Sequence, residues 1–423
     1  MREVRSSQFS RRSLLKRTGA LLAAPLVVPS HVLGLNDKPA PSERIQIGFI
    51  GAGHRARLLM SQMPAAGEIV AICDCDTRRC DQALKEKKAS WRVYKHYRAL
   101  LDAGDIQAVV VPTTDHGRVL SCIHACQAGK DIYAEKPLTL TIREGRALVQ
   151  AVEKYKRVFQ TGTQQRSMEM NRYACELVRT GGIGKLQQVL GVNYSPPGNC
   201  AGAQTEPLPK DVDWNTWLNS TPSHDYSSKR QRGWMGCRAY SGGEMTNWGA
   251  HGLDQIQWAL GMDGTGPVEL WTEGTGPHAP VSYRYASGVV VKLELSGGPK
   301  GGAVFIGDKG EIEIDRNRFK ATPEALAKDP PEAQTAEIWE GPGWQAKFHI
   351  GNWLECIKTR GRPVSDAEVG HRSVSVCHLA NIVRQLARKV QWDPAKEEFV
   401  GDEEANTYLE RPRRKGFELP DLT

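Results

Sequence analysis

The residues best placed to do chemistry in this 423-residue sequence begin with Gly51, Gly53, His54, Arg55 and Ala56, read together with Asp74. They follow the apolar run Ile45 to Ile50, the pattern of a strand covered on both faces in a parallel sheet. Gly51 permits the tight turn out of that strand, Gly53 lets backbone approach a pyrophosphate, and the small Ala56 lets the next helix pack closely. The helix N-terminus then holds the phosphates. A second apolar run, Ile69 to Cys73, stops at Asp74, 21 residues beyond Gly53, where a carboxylate accepts hydrogen bonds from an adenosine ribose. Strand, turn, helix, strand and acid fall in the order that dinucleotide binding requires.

Two further places hold reactive side chains. Lys136 closes a strand and precedes Pro137, which keeps it out of helical geometry and aims it into the crevice at the strand ends. Burial there lowers its pKa and suits it to take part in proton transfer. The second place is a helix expected from about Gly243 to Leu260, on which Asn247, His251 and Asp254 share one face.

These side chains need a scaffold, and the sequence describes one. Ala108 to Val111 reads as strand, Gly117 to Ala128 as helix, Asp131 to Ala134 as strand and Ile142 to Tyr155 as helix. Such alternation predicts a doubly wound parallel sheet, an α/β Rossmann domain with its ligand crevice outside the carboxyl ends of the strands. Beyond Thr163 the pattern becomes hairpins: Leu186 to Asn193, Val268 to Trp271, Val281 to Tyr285, Val289 to Leu295, Ala303 to Ile306 and Glu311 to Ile314. Hairpins in series predict a second, mainly antiparallel domain. A loop-rich insertion, Tyr194 to Gly243, carries Trp214, Trp217 and Trp234, and tryptophans argue against disorder. Helices near Phe348 to Arg360 and Ser365 to Val390 follow, the latter opened by a capping box of Ser365 and Glu368. The chain therefore divides into 1–34 leader, 35–43 linker, 44–163 dinucleotide-binding domain, 164–390 second domain and 391–423 tail.

The net charge of +8 does not mark a nucleic-acid binder, because the first 34 residues hold six basic side chains and one acid and no basic block remains in the body. That leader pairs Arg11 with Arg12 ahead of the apolar segment Ala20 to Val28, too short to span a membrane. It resembles a twin-arginine export signal, which implies a folded protein delivered to the periplasm or another extracytoplasmic space without a stable membrane anchor. Ten cysteines need not form disulfides in a chain that folds in reducing cytosol, and Cys73, Cys75 and Cys80 lack the partners of a metal set, so no metal is expected.

Three motifs, GFIGAGHRA, AGKDIYAEKP and GGEMTNWGAH, together resemble the Gfo/Idh/MocA oxidoreductases, the glucose-fructose oxidoreductase and inositol dehydrogenase group. The resemblance runs from Ile45 to about Leu419 and implies an α+β second domain with an open sheet that often makes a homo-oligomer, here a dimer or tetramer. It implies NAD(P)-dependent oxidation or reduction of a hydroxyl on a small sugar, cyclitol or polyol. The alternative is a redox-neutral NAD-dependent glycoside hydrolase or lyase, as in relatives of the same family. Lys136 matches the catalytic-site lysine of the EKP motif, with Glu135 as a positioning group, and His251 matches the general acid/base. Asn247 stands where the family usually has aspartate and can hydrogen-bond a hydroxyl without lending charge to an imidazolium. Thr114, Asp115 and His116 stand where members approach the nicotinamide, with a plain helix cap the other reading of Asp115. Gln164 and Arg166 are expected to touch substrate or cofactor, and Trp234 and Trp214 either stack on a sugar or pack. Asp74 would repel a 2'-phosphate that Arg78 or Arg79 would attract, so NAD is favoured over NADP.

Overall fold

The structure is a computed structural model and describes residues 39–200, 203–341 and 345–422. The basic leader read as an export signal lies outside them. The described residues up to Arg44 belong to one unit, in which Pro41–Glu43 makes a 3-10 turn, and the described residues from Ile45 onward belong to a second.

In the second unit, β1 (Ile45–Ile50), β2 (Gly67–Cys73), β3 (Arg92–Tyr94), β4 (Ala108–Val111), β5 (Asp131–Ala134) and β6 (Phe159–Thr161) form one sheet in the order β3-β2-β1-β4-β5-β6. Every pairing is parallel, as the alternation predicts. The crossovers include α1 (His54–Ser61), α2 (Thr77–Lys87), α3 (Asp115–Gln127) and α4 (Ile142–Lys154). Strand order reverses between β1 and β4, and there the two crossovers leave the sheet on opposite sides and open a crevice. α4 begins with a complete capping box, Thr141 with Glu144. Strand β3 escapes the sequence reading because it is three residues long and its first two are exposed, so no apolar run marks it.

After α5 (Glu169–Arg179) come β7 (Leu186–Val192) and α6 (Gly249–Ala259), then β8 (Glu269–Thr272), β9 (Val281–Arg284), β10 (Val290–Leu295), β11 (Ala303–Gly307), β12 (Gly310–Asp315) and β13 (Arg318–Thr322). With β14 (Val390–Asp393) and β15 (Glu398–Phe399) they build a nine-stranded sheet in the order β13-β12-β11-β7-β10-β9-β8-β14-β15. It is mainly antiparallel, as expected, and its one parallel pair among the named strands is β7 with β10, because the long insertion carries the chain away before the meander from β8 returns beside it. One correction concerns the segment read as a tail from 391. Val390 and Gln391 pair with Leu270 and Glu269 of β8, and the buried Trp392 pairs with Phe399 of β15, so the chain past 390 extends the sheet.

Two helices, α7 (Lys347–Thr359) and α8 (Ala367–Leu386), tie the halves together. Ile350, Trp353 and Leu354 of α7 pack with Phe49, Val110 and Tyr133 of the parallel sheet, so a helix late in the chain completes the first domain. Ala367 and Val374 of α8 join the core on the other face of that sheet, whereas Val376, Leu379 and Val383 join the core of the second. The expected cap of α8 is corrected by one residue. Asp366 is the N-cap, accepting from the Val369 N–H at 2.9 Å. Ser365 instead bonds Thr163 at 2.6 Å and Glu368 pairs with Arg146 at 2.7 Å. The insertion has its own small core of Trp214, Trp217, Tyr226 and Tyr240, and a disulfide joins Cys200 to Cys237, so not every cysteine is a buried thiol.

Candidate active site

The glycine turn is held from below. Gly51 has φ +109, a backbone only glycine adopts freely. Gly53 caps α1 without a side-chain hydrogen bond and no acid stands in the first turn, which keeps that helix N-terminus open to an anion. Ala56 is fully buried, as close packing requires, and His54 is exposed at the first helical position. Asp74 departs from the expected role. It is 9 % exposed, and its two oxygens accept the backbone N–H of Ala52 at 2.8 Å and of Asp76 at 2.9 Å. The carboxylate therefore staples β2 to the turn, and burial raises its pKa. Asp76, two residues on, takes Arg78 in a bidentate pair at 2.7 and 2.8 Å, so Arg78 is committed to a neighbour.

At the carboxyl ends of β4, β5 and β6 lies a cleft of about 340 Å³, lined by Arg55, Thr113, Asp115, Glu135, Lys136, Gln164, Trp234, Asn247, Trp248, His251 and Arg316 among others. Glu135 organises its floor. It receives Arg55 at 2.9 Å and Gln164 Nε2 at 3.0 Å on the same oxygen. Lys136 donates from Nζ to the Asn247 side-chain oxygen at 2.7 Å and to the Asn247 carbonyl at 3.2 Å. Burial brings the Lys136 ammonium down to about 8, with Arg55 adding to the depression and Glu135 opposing it. The expected single helix from Gly243 is interrupted at Trp248, leaving Glu244–Asn247 and α6. The His251 N–H bonds Trp248 O at 3.0 Å, and the Asn247 carbonyl serves Lys136.

His251 is 3 % exposed, and its Nδ1 has no hydrogen-bond partner among the described residues. Burial, then the charge of Lys136, push its pKa well below the ordinary histidine value, so the ring is neutral near pH 7. Gly301, at φ +68, brings backbone against it: a Cβ there would come 2.8 Å from that of His251. Asp115 accepts from Ser241 at 2.9 Å, and burial raises its pKa to about 6, with Arg118 opposing. Arg118 in turn donates to the carbonyls of Thr113 and Pro137.

The structure thus brings together Arg55, Glu135, Lys136, Gln164, Trp234, Asn247 and His251. It excludes three others. His116 is buried with its Nε2 2.7 Å from Trp217 O and its ring against Trp217 and Tyr240, so it anchors the insertion. Arg166 is 4 % exposed and locked between Asp254 at 2.8 Å and Asp263 at 2.7 Å, which also removes Asp254 from any partnership with His251. Trp214 stacks on Trp217 at 4.3 Å inside the insertion core. Thr114 caps α3 without lining the cleft, whereas its neighbours Thr113 and Asp115 do. Arg316 and Trp248 were not anticipated. Arg316 sits on the turn between β12 and β13, Asp-Arg-Asn-Arg, which carries no local signal of a site. A larger cavity of about 560 Å³ between the start of α4, the insertion, α8 and the C-terminal segment contains none of the expected site residues.

Fold and cleft together define a two-domain dinucleotide-binding protein with a half-buried lysine and a neutral histidine at the carboxyl ends of the parallel strands. Residues 45–163 match the profile of an oxidoreductase family NAD-binding Rossmann fold, and residues 197–419 that of an oxidoreductase family C-terminal alpha/beta domain. The chain belongs to the Gfo/Idh/MocA oxidoreductase family. Over 179 residues it is 27% identical to the inositol 2-dehydrogenase of Salmonella typhimurium, covering 41% of this chain and 53% of that protein. Over 170 residues it is 30% identical to an alpha-N-acetylgalactosaminidase of Shewanella oneidensis, covering 34% and 37%. The chain spans about half the length of the first of these relatives. Among solved structures, the WlbA dehydrogenase of Bordetella pertussis in complex with NADH and UDP-GlcNAcA has a TM-score of 0.62 at 16% identity, over 84% of this chain and 99% of that one. That likeness is one of fold.

Proposed function

We propose that the protein is an NAD-dependent oxidoreductase that transfers a hydride to or from a hydroxyl-bearing carbon of a sugar, cyclitol or related polyol. One observation carries the reading: an ammonium with a pKa near neutrality and an imidazole with a vacant, buried Nδ1 line the same cleft at the strand ends. The open glycine turn and uncapped start of α1 fit a pyrophosphate, and the committed Arg78 supports NAD over NADP. Bound nicotinamide would supply the hydride acceptor or donor. The chain's own part in oxidation is to hold and deprotonate the hydroxyl. Lys136, oriented by Asn247, donates a hydrogen bond to the hydroxyl oxygen and stabilises negative charge developing on it. His251, neutral, takes the hydroxyl proton. Gln164 and Arg55 fix Glu135, whose charge keeps Lys136 protonated at neutral pH.

The test is a screen of cyclitols, hexoses and alditols for formation of reduced nicotinamide by the purified chain. Turnover is expected with at least one, and equal turnover by Lys136→Ala and wild type would reject the assignment. A redox-neutral glycosidase is the second reading, favoured by the relative named an alpha-N-acetylgalactosaminidase. It would release sugar from an aryl glycoside with no net change in nicotinamide absorbance. The paired Arg11 and Arg12 ahead of an apolar run support export by the twin-arginine route, checked by fractionating cells that express the full chain. The broad nine-stranded sheet supports a homo-oligomer, checked by light scattering.

A further inference from the structure

We propose that the cavity of about 560 Å³ between the start of α4, the insertion, α8 and the C-terminal segment is a second ligand site, which takes a phosphate monoester carried on an apolar body. It shares no lining residue with the cleft of Lys136 and His251, so its occupancy is independent of the oxidoreductase reading. Five arginines, Arg143, Arg230, Arg238, Arg411 and Arg413, stand in its lining against two carboxylates, Glu144 and Glu410. Among the described residues only Arg413 of these five makes an ion pair, to Glu144 at 2.9 Å. Glu144 is further engaged by the N–H groups of Leu140 and Thr141. Arg230 and Arg238 carry buried Nε atoms with no hydrogen-bond partner among the described residues. Arg411 donates to the carbonyl of Arg238, which ties the C-terminal segment to the insertion and brings two guanidinium groups to one wall.

Like charges gathered in a partly enclosed wall are costly unless an anion arrives to meet them. The groups around them register the crowding. Burial lowers the Arg411 pKa, Glu144 opposes, and the charge of Arg238 adds to the depression. Burial, then the charge of Arg230, lowers that of His224, and burial takes His378 down to about 3, so both histidines of the lining are neutral near pH 7. Five arginines less two carboxylates leave three positive charges. A phosphate monoester brings a charge of about −1.5 to −2 near neutral pH and three strong acceptor oxygens, and the guanidinium donors come from three separate stretches of chain. A carboxylate is planar and is answered by one bidentate arginine. Much of the remaining wall is apolar, with Leu140, Ile142, Pro197, Pro222, Ile382 and Leu419, so the phosphate arrives on an apolar or ring-bearing body.

The experiment is calorimetric titration of the full chain in saturating NADH, which occupies the glycine turn, with phenyl phosphate, inorganic phosphate, benzoate and phenol. Wild type is expected to bind one phenyl phosphate, about tenfold or more tightly than each of the other three. Arg230→Gln and Arg238→Gln should each weaken phenyl phosphate about tenfold while leaving NADH affinity within about threefold. Arg143 is exposed in the first turn of α4, where an acid suits the helix, so Arg143→Glu should fold and weaken phenyl phosphate by about threefold or more. It decides the matter should the other two variants fail to fold. No saturable binding of phenyl phosphate, equal affinity for inorganic phosphate or benzoate, binding unmoved by the variants, or a parallel loss of NADH affinity would overturn the proposal.

Discussion

Helix α6 carries two buried charged neighbourhoods three residues apart, and they are built on opposite plans. Around Asp254, one guanidinium faces two carboxylates at hydrogen-bonding distance, and Ser373 fills a remaining acceptor site at 2.6 Å. Around His251, an ammonium meets the amide and carbonyl oxygens of Asn247, and the imidazole Nδ1 has no hydrogen-bond partner among the described residues. The first arrangement satisfies itself and holds the 3-10 turn Gln164–Ser167, α6 and α8 together. The second leaves a buried ring nitrogen without a partner, and burial is the first cause of the lowered pKa values of Lys136 and His251. Burial alone does not separate a structural site from a chemical one; the balance of charge and hydrogen bonds does.

The widest gap between the two neighbourhoods should appear on removing the lysine. Lys136→Met is expected to lower kcat/KM by roughly 10²–10⁴-fold while leaving Tm unchanged or higher. The sign follows from linkage. A cation whose folded pKa of about 8 lies below its ordinary 10.5 destabilises the fold fully at pH below 8, and the cost fades as pH rises toward 10.5. Any gain in Tm should therefore be largest below pH 8, and a loss of Tm there would contradict the account. The opposite result is expected for Arg166→Met, which strands two carboxylates, one fully buried, and should cost about 3–5 kcal/mol in denaturant unfolding without altering NADH affinity of the folded protein. A loss of NADH binding with stability intact would return Arg166 to the site.

A smaller change sharpens the picture of the cleft. In the proposed mechanism protonated Lys136 is the active form in oxidation, so kcat/KM should fall as pH rises through about 8. Asn247→Asp places a carboxylate against the ammonium, stabilises its charged form, and should move that fall upward by about one pH unit or more. A pH profile that does not move would show that Lys136 is not the titrating group. The smallest effect belongs to Arg78→Ala. Because Arg78 is already bound by Asp76, the ratio of NAD to NADP affinity should change by less than about threefold, read by fluorescence titration of the two reduced cofactors.

Read from the sequence alone, the first domain is nearly complete, because its signals are local: apolar runs of strand length, a glycine turn and a proline after Lys136. Lys136, Glu135, Asn247 and His251 are legible for the same reason, each tied to a strand end or a helix face. The errors cluster where an outcome depends on what lies across the fold. His116 and Arg166 have the right chemistry at the right place in the chain, but Trp217 and the pair Asp254 and Asp263 claim them first. Asp74 was expected to face a ribose and instead holds the turn it follows.

What the amino-acid order determined by itself is the parallel sheet, the nucleotide turn and the place of Lys136 at a strand end, since each follows from short-range periodicity and backbone stereochemistry. What only the tertiary structure decided is the charge of the cleft. Arg316 arrives there from a hairpin 180 residues beyond Lys136, and the break at Trp248 turns a helical carbonyl toward the ammonium. Electrostatic balance is a sum over groups brought close by packing, and no window of sequence contains that sum.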